Sequence, residues 1–345
     1  MNEAIFPLLG PLLVVAVALP ASALAAKAVL FALSRLEPRT GLPQQSALRY
    51  ALIVASSAAP LAWFLSAGLH QAESGERLII CAARGAHGGV NLEAIGFSMV
   101  LSALIVGLAL PILLRERGRP RAAAPSADSA LQLRRIDELL AGRPALHALR
   151  GMVAVDDACA TPIATAGVVA PRVLLRTSFA RALDDEALCA ALHHELEHLR
   201  GQDPLRYFLV RWALAVNPLG RVLLRDELAR WVLARELHCD RAAVVCGASA
   251  PALAQALVSA ARPPPREPQP ALGAAHADAI RLRVGLLLAY ADRRPHATAQ
   301  PWSLRPAVAF LGFVLVLVLP HHASTLPLDT IHRLSERAVA RLAGH

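Results

Sequence analysis

Three uncharged apolar runs dominate the first third of the chain: Ala4 to Ala26, Tyr50 to Leu69 and Ala94 to Leu114. Each is about 20 residues long, the length of helix that crosses roughly 30 Å of hydrocarbon. A shorter run, Pro306 to Pro320, makes a fourth span if Arg305 extends its head group towards water and Trp302 lies in the interfacial belt. Residues 115–303 form the one polar block large enough to fold as a domain. It opens with a Pro-, Arg- and Ala-rich linker, followed by helical spacing over Leu131 to Leu140 that Gly142-Arg143-Pro144 stops. Short β-like runs, Met152 to Val155 and Arg172 to Leu175, flank a turn-rich stretch from Thr161 to Gly167. The pattern next predicts a helix from Asp184 or Asp185 to Gly201, with Leu188, Leu192, Leu196 and Leu199 as its apolar stripe. A short apolar helix, Tyr207 to Val216, breaks at Asn217-Pro218. It is too short to span, which leaves three places for it: on the membrane surface, beneath the spans, or in an ordinary core. A long helix then runs from about Leu223 to Cys246, and Arg262 to Pro270 reads as a linker or rigid arm. The predicted fold is mainly α and multi-pass. Residues 1–114 hold three transmembrane helices with short loops, 115–303 a domain, 304–320 the fourth transmembrane helix and 321–345 a short extracytoplasmic tail.

Composition agrees with a bilayer environment. Hydrophobic residues make up 55% of the chain, charged residues 18%, and the mean hydropathy is +0.45, unlike a soluble enzyme of this length. Met1-Asn2-Glu3 is acidic where a signal peptide starts basic, so the first run reads as a retained helix. Lys27, Arg35, Arg39 and Arg49 follow the first run, and Arg115, Arg117, Arg119 and Arg121 follow the third. The positive-inside rule therefore puts these two regions, and the polar domain, in the cytoplasm. The net charge of +9 sits largely beside the spans, where it suits anionic lipid headgroups. No Lys/Arg stripe with interleaved aromatics occurs, so direct nucleic-acid binding is not expected. Five cysteines without a Cys-x-x-Cys pair read as buried small hydrophobes rather than a disulfide framework.

The chemistry lies in the predicted helix at His193-His194-Glu195-Leu196-Glu197-His198. His194 and His198 are four apart, so one helix face presents both imidazoles to one ion, with Glu195 within reach of a water on it. That is the arrangement of a zinc peptidase, which needs a third protein ligand and one open position. Glu236 on the next long helix is the candidate ligand, and Asp240, four residues on, the residue that orients a ligand imidazole. Glu195 is the expected proton carrier. His193 points about 100° away from His194 and suits packing or a surface role. Glu197 reads as a solvated residue, His238 as a weaker cleft candidate, and either Tyr207 or an arginine as the oxyanion donor.

The series His193 to Asp203, then Val216-Asn217-Pro218, then Arg235-Glu236-Leu237-His238-Cys239-Asp240 resembles the BlaR/MecR-type membrane peptidases, the antirepressor metallopeptidases of bacterial penicillin sensing. The Glu-Leu-x-Cys-Asp spelling is more specific than the zinc motif alone. The resemblance implies an α+β, gluzincin-type domain inserted between the third and fourth spans, on the cytoplasmic side of the bacterial inner membrane. His194, His198 and Glu236 match the family's Zn2+ ligands, and Glu195 its catalytic glutamate. A transcriptional repressor, or the chain itself, is the implied substrate, bound as an extended stretch along an edge strand near Arg172 to Leu175. Two departures bear on signalling. Only about 25 residues follow Pro320, where the penicillin sensors carry a large outer domain. Lys27 is the only lysine, so a Ser-x-x-Lys acylation site, and with it covalent β-lactam sensing, is not expected. The alternative reading is a membrane signal transducer whose zinc domain is structural.

Overall fold

Long apolar stretches and short polar caps make this chain mainly helical. The computed structural model describes residues 14–36, 42–74, 92–117, 126–159, 161–261 and 274–292. Three apolar helices come first: α1 (Leu19–Leu36, entered through a π-helical turn at Val14–Ala18), α2 (Leu42–Ser74) and α3 (Leu92–Arg117). Among the described residues one helix, Val14–Ala32, is both long and apolar enough to cross a membrane. Shorter apolar stretches, Ser46–Ala62 and Met99–Leu114, lie within α2 and α3. The expected fourth span and tail, Cys81 and the whole Arg262–Pro270 arm lie outside the described residues.

The polar block folds around a small sheet. After α4 (Ala127–Ala141) come β1 (Val153–Val155), β2 (Ile163–Ala166) and β3 (Arg172–Leu175). The strand order is β1-β3-β2, with β1 parallel to β3 and β2 antiparallel to it, Thr165 opposite Val173. This corrects two expectations. Arg172–Leu175 is the central strand, paired on both sides, so it cannot offer a free edge to a substrate. The stretch read as turn-rich supplies the edge strand β2, because Ile163 and Thr165 alternate with small alanines on an extended backbone.

The helices follow as α5 (Thr177–Ala182), α6 (Asp185–Arg200), α7 (Asp203–Val216), α8 (Pro218–Leu223), α9 (Arg225–Val245), α10 (Ala250–Ala261) and α11 (Ala274–Asp292). Asp184 caps α6 by accepting a hydrogen bond from the Ala187 amide at 2.8 Å, and Asp185 and Glu186 meet the positive end of its dipole. Leu188 and Leu192 are fully buried, each worth about 1.5–3 kcal/mol of apolar burial. The core around α6 joins Val173 and Leu175 of the sheet, Ala243 of α9 and Leu253 of α10. α6 is thus covered on nearly every side, and its polar residues His193, His194, Glu195 and His198 are buried with it.

The hairpin of α7 and α9 packs among the three apolar helices. Trp231 of α9 and Val210 and Leu214 of α7 form one cluster with Leu30, Leu52 and Ile53. Val216, at the end of α7, meets Val14, Leu19, Leu61 and Leu101. Polar groups at these contacts are satisfied across helices: Ser57 donates to the Ala213 carbonyl at 2.7 Å, Trp212 to the Ile105 carbonyl at 3.2 Å and Asn217 to the Leu19 carbonyl at 2.7 Å. On α9, Glu227 is 1% exposed and pairs with Arg49 and with Lys27. Of the places open to Tyr207–Val216 by sequence, the structure gives packing against the apolar helices.

Candidate metal centre

Three helices build the site. α6 carries His194, Glu195 and His198; α9 carries Glu236 and Asp240; Asp203 opens α7. The His198 Nε2 atom lies 3.0 Å from His194 Nε2, and the Glu236 carboxylate lies 3.4 Å from the first imidazole and 3.5 Å from the second. Metal–nitrogen bonds of about 2.0–2.1 Å in a tetrahedron give donor–donor edges of about 3.3–3.4 Å. The two imidazole nitrogens and the Glu236 carboxylate, with Oε2 on the His194 side and Oε1 on the His198 side, thus converge closely enough to share one ion.

Each imidazole is held from behind. His198 Nδ1 is 2.6 Å from Asp203 Oδ2, and His194 Nδ1 is 2.9 Å from Asp240 Oδ1. The second contact is close but bent, so His194 Nδ1 lacks a linear hydrogen bond. Asp203 thereby favours the His198 ring proton on Nδ1 and turns Nε2 towards its neighbour, and Asp240 lies on the same Nδ1 side of His194. The two Nε2 atoms, 3.0 Å apart, share one proton in a hydrogen bond, and a cation that takes the place of that proton meets both lone pairs. Four carboxylates (Glu195, Asp203, Glu236, Asp240) meet three guanidiniums (Arg206, Arg235, Arg283), leaving an excess of negative charge that favours a cation. These residues fit a metal ion.

The electrostatics agree. Burial alone would lower the His194 pKa, but the Asp240 and Glu236 carboxylates beside it outweigh that and raise it to about 10. Burial would raise the Glu236 pKa, yet His194, His198 and Arg283 hold the carboxyl well below its usual range. Asp203 is likewise kept ionised, its burial being outweighed by His198 and Arg235.

Glu195 faces the same cleft without joining the triad. Its donor atom lies within 4.8 Å of those of His194 and His198, but its Oε2 accepts a 2.7 Å hydrogen bond from the Thr165 hydroxyl on β2. The open cleft, about 220 Å³, runs between β2 and α7, with Ile163, Ala164, Pro204 and Tyr207 beside the metal-site residues. Burial raises the Tyr207 pKa, with Glu236 the next cause, so the phenol keeps its proton as a donor.

Gly201 ends α6 as expected, at φ −78°, a conformation open to any residue. Its glycine identity has another cause: a Cβ there would come within 2.0 Å of the Arg235 guanidinium, which crosses to donate to the Glu197 carbonyl at 2.8 Å and to Asp203 at 2.6 Å. Gln202 takes the left-handed turn, at φ +52°.

The structure brings together every residue proposed from sequence for the site: His194, Glu195, His198, Glu236 and Asp240. Others differ. Glu197 is not solvated but 12% exposed, paired with Arg200 at 2.6 Å. His238 is exposed on the outer face of α9 and does not line the cleft. His193 is buried, and burial lowers its pKa. Cys159, Cys189 and Cys239 are buried as expected, but Cys246 is exposed because it caps the end of α9. Sequence reasoning missed Asp203, Thr165, Arg235 and Arg283. Only Asp203 left a signal, an acidic residue one turn past the second histidine. Compared with protein-family models, curated proteins and solved structures, the chain matches none.

Proposed function

We propose that this chain is a membrane-embedded zinc endopeptidase of the BlaR/MecR type, acting on a cytoplasm-facing protein in signal transduction. The observation that carries the reading is the convergence of His194 Nε2, His198 Nε2 and the Glu236 carboxylate at 3.0–3.5 Å, with Glu195 beside them in an open cleft. Two nitrogens and one oxygen suit zinc, and an open side suits catalysis better than a closed structural site.

His194, His198 and Glu236 hold the ion, and bound zinc supplies Lewis acidity towards a water and a peptide carbonyl. Glu195 takes the proton of the attacking water and delivers it to the leaving amine. Thr165 fixes the Glu195 carboxylate in orientation. The Tyr207 phenol supplies a donor for the oxyanion. The free edge of β2 pairs with an extended substrate backbone, bringing the scissile bond past Glu195. α1, α2, α3 and the segment 304–320 act as four spans, which place the domain on the cytoplasmic face of the bacterial inner membrane. A transcriptional repressor or the chain itself is the substrate.

The test is Glu195→Ala in the full chain in detergent. Zinc remains bound at one per chain, while cleavage of unfolded casein and of the chain itself falls about 10²–10⁴-fold, the range of a lost general base. Cleavage at the wild-type rate in this variant refutes the enzyme reading.

A further inference from the structure

α11 follows the Pro-rich arm and packs on α9 and α10. Its two neighbouring arginines differ sharply. Arg281 is 80% exposed and pairs only with Asp278 one turn away, whereas the Arg283 side chain is 11% exposed and points into the metal centre. All three of its guanidinium nitrogens are engaged there. Nε and one terminal nitrogen fork onto Asp240 at 2.7 and 2.8 Å, and the other terminal nitrogen lies 2.8 Å from Glu236 Oε2.

Glu236 and Asp240 are four apart on α9, so their carboxylates stack on one face and repel. The guanidinium fork lies across both and cancels that repulsion. Glu236 ends in a torsion that is intrinsically broad, and pinning one oxygen fixes it. A carboxylate has about four acceptor sites, so this contact leaves room for a metal. Through Asp240 the same fork holds the group that orients His194.

We infer that Arg283 is a positioning residue of the metal centre, setting the Glu236 ligand and the Asp240–His194 pair in one geometry from a helix that supplies no ligand itself. The inference rests on the metal-site reading above. A lysine ammonium is a single point and cannot span both carboxylates as the planar fork does.

The experiment measures zinc affinity of the full chain in detergent, by competition with a chromophoric chelator, for the wild type, Arg283→Ala, Arg283→Lys and His198→Ala. Folding of each is followed by circular dichroism. Arg283→Ala weakens zinc binding about 10–100-fold, as loss of an outer partner of a metal site does. Arg283→Lys gives a smaller loss, and it decides the matter where Arg283→Ala does not fold. Wild-type affinity in Arg283→Lys, or in both variants, overturns the inference while leaving the peptidase reading intact. Absence of zinc from the wild type overturns both. Loss of zinc in His198→Ala but not in the Arg283 variants overturns the inference alone.

Discussion

Asparagine at position 203 gives the sharpest test of how the histidines are held. Asp203 is 2% exposed, and one of its oxygens receives both His198 Nδ1 and Arg235 Nε, each at 2.6 Å. Asp203→Asn keeps the shape but removes the charge, and its amide oxygen serves only one of the two partners well. Loss of such a carboxylate behind a ligand imidazole costs about 10–100-fold in metal affinity, which is about 1.4–2.7 kcal/mol. Arg235 is 5% exposed, so weakening its ion pair also destabilises the fold, by about 3 kcal/mol, the lower end for a broken buried pair. Chelator competition on the full chain reads the first effect, and thermal unfolding of the metal-free protein reads the second. Zinc affinity within about twofold of wild type, in a folded variant, would refute the claim that Asp203 sets the His198 lone pair.

Two further predictions concern charge. Glu227→Gln removes the carboxylate facing Arg49 of α2 and Lys27 of α1, and a buried pair broken in this way costs about 3–5 kcal/mol. A lower Tm with zinc still bound is expected, and an unchanged Tm refutes it. In the metal-free site His194 keeps its proton up to about pH 10, because Asp240 and Glu236 outweigh the effect of burial. Protons therefore compete with zinc below that pH, and apparent affinity rises about tenfold per pH unit with release of about one proton. Calorimetry at pH 7 in buffers of different ionisation enthalpy counts the proton, and a pH-independent affinity is the contrary result.

The parts of this site that were legible in the sequence are those fixed by local spacing. His194 and His198 share a face because α6 is helical, and α6 is helical because Asp184 caps it and its leucines repeat at the right interval. Glu236 and Asp240 follow from the same rule on α9. The residues that stayed hidden act across the fold. Arg283 is one of two arginines in a short run, and only the packing of α11 on α9 separates it from Arg281. Asp203 reads equally well as the polar start of α7. The strand order was hidden for a similar reason: the burial of Arg172–Leu175, exposed then alternately buried, fits an edge strand as well as a central one. Pairing of β1 with β3 is a long-range contact that no local pattern encodes.

The division of the proposed ligands between α6 and α9 has a structural consequence. α6 lies wholly within the core of the polar domain, through Leu188, Leu192 and Leu196. α9 belongs to two cores at once: Trp231 is buried with the apolar helices and Ala243 with the domain. Glu236 sits between these anchors. It is nine residues from Glu227, about 13–14 Å along the axis, and four from Asp240. The distance from Glu236 to the imidazole pair is therefore set where the two cores meet, not within either one. Metal sites tolerate donor displacements of only about ±0.2 Å. A site so divided needs rigid registration of α9 on α2 as well as on α6. The buried Glu227–Arg49 pair ties α9 to α2, and Arg235, donating from α9 to the Glu197 carbonyl at 2.8 Å, ties it to α6.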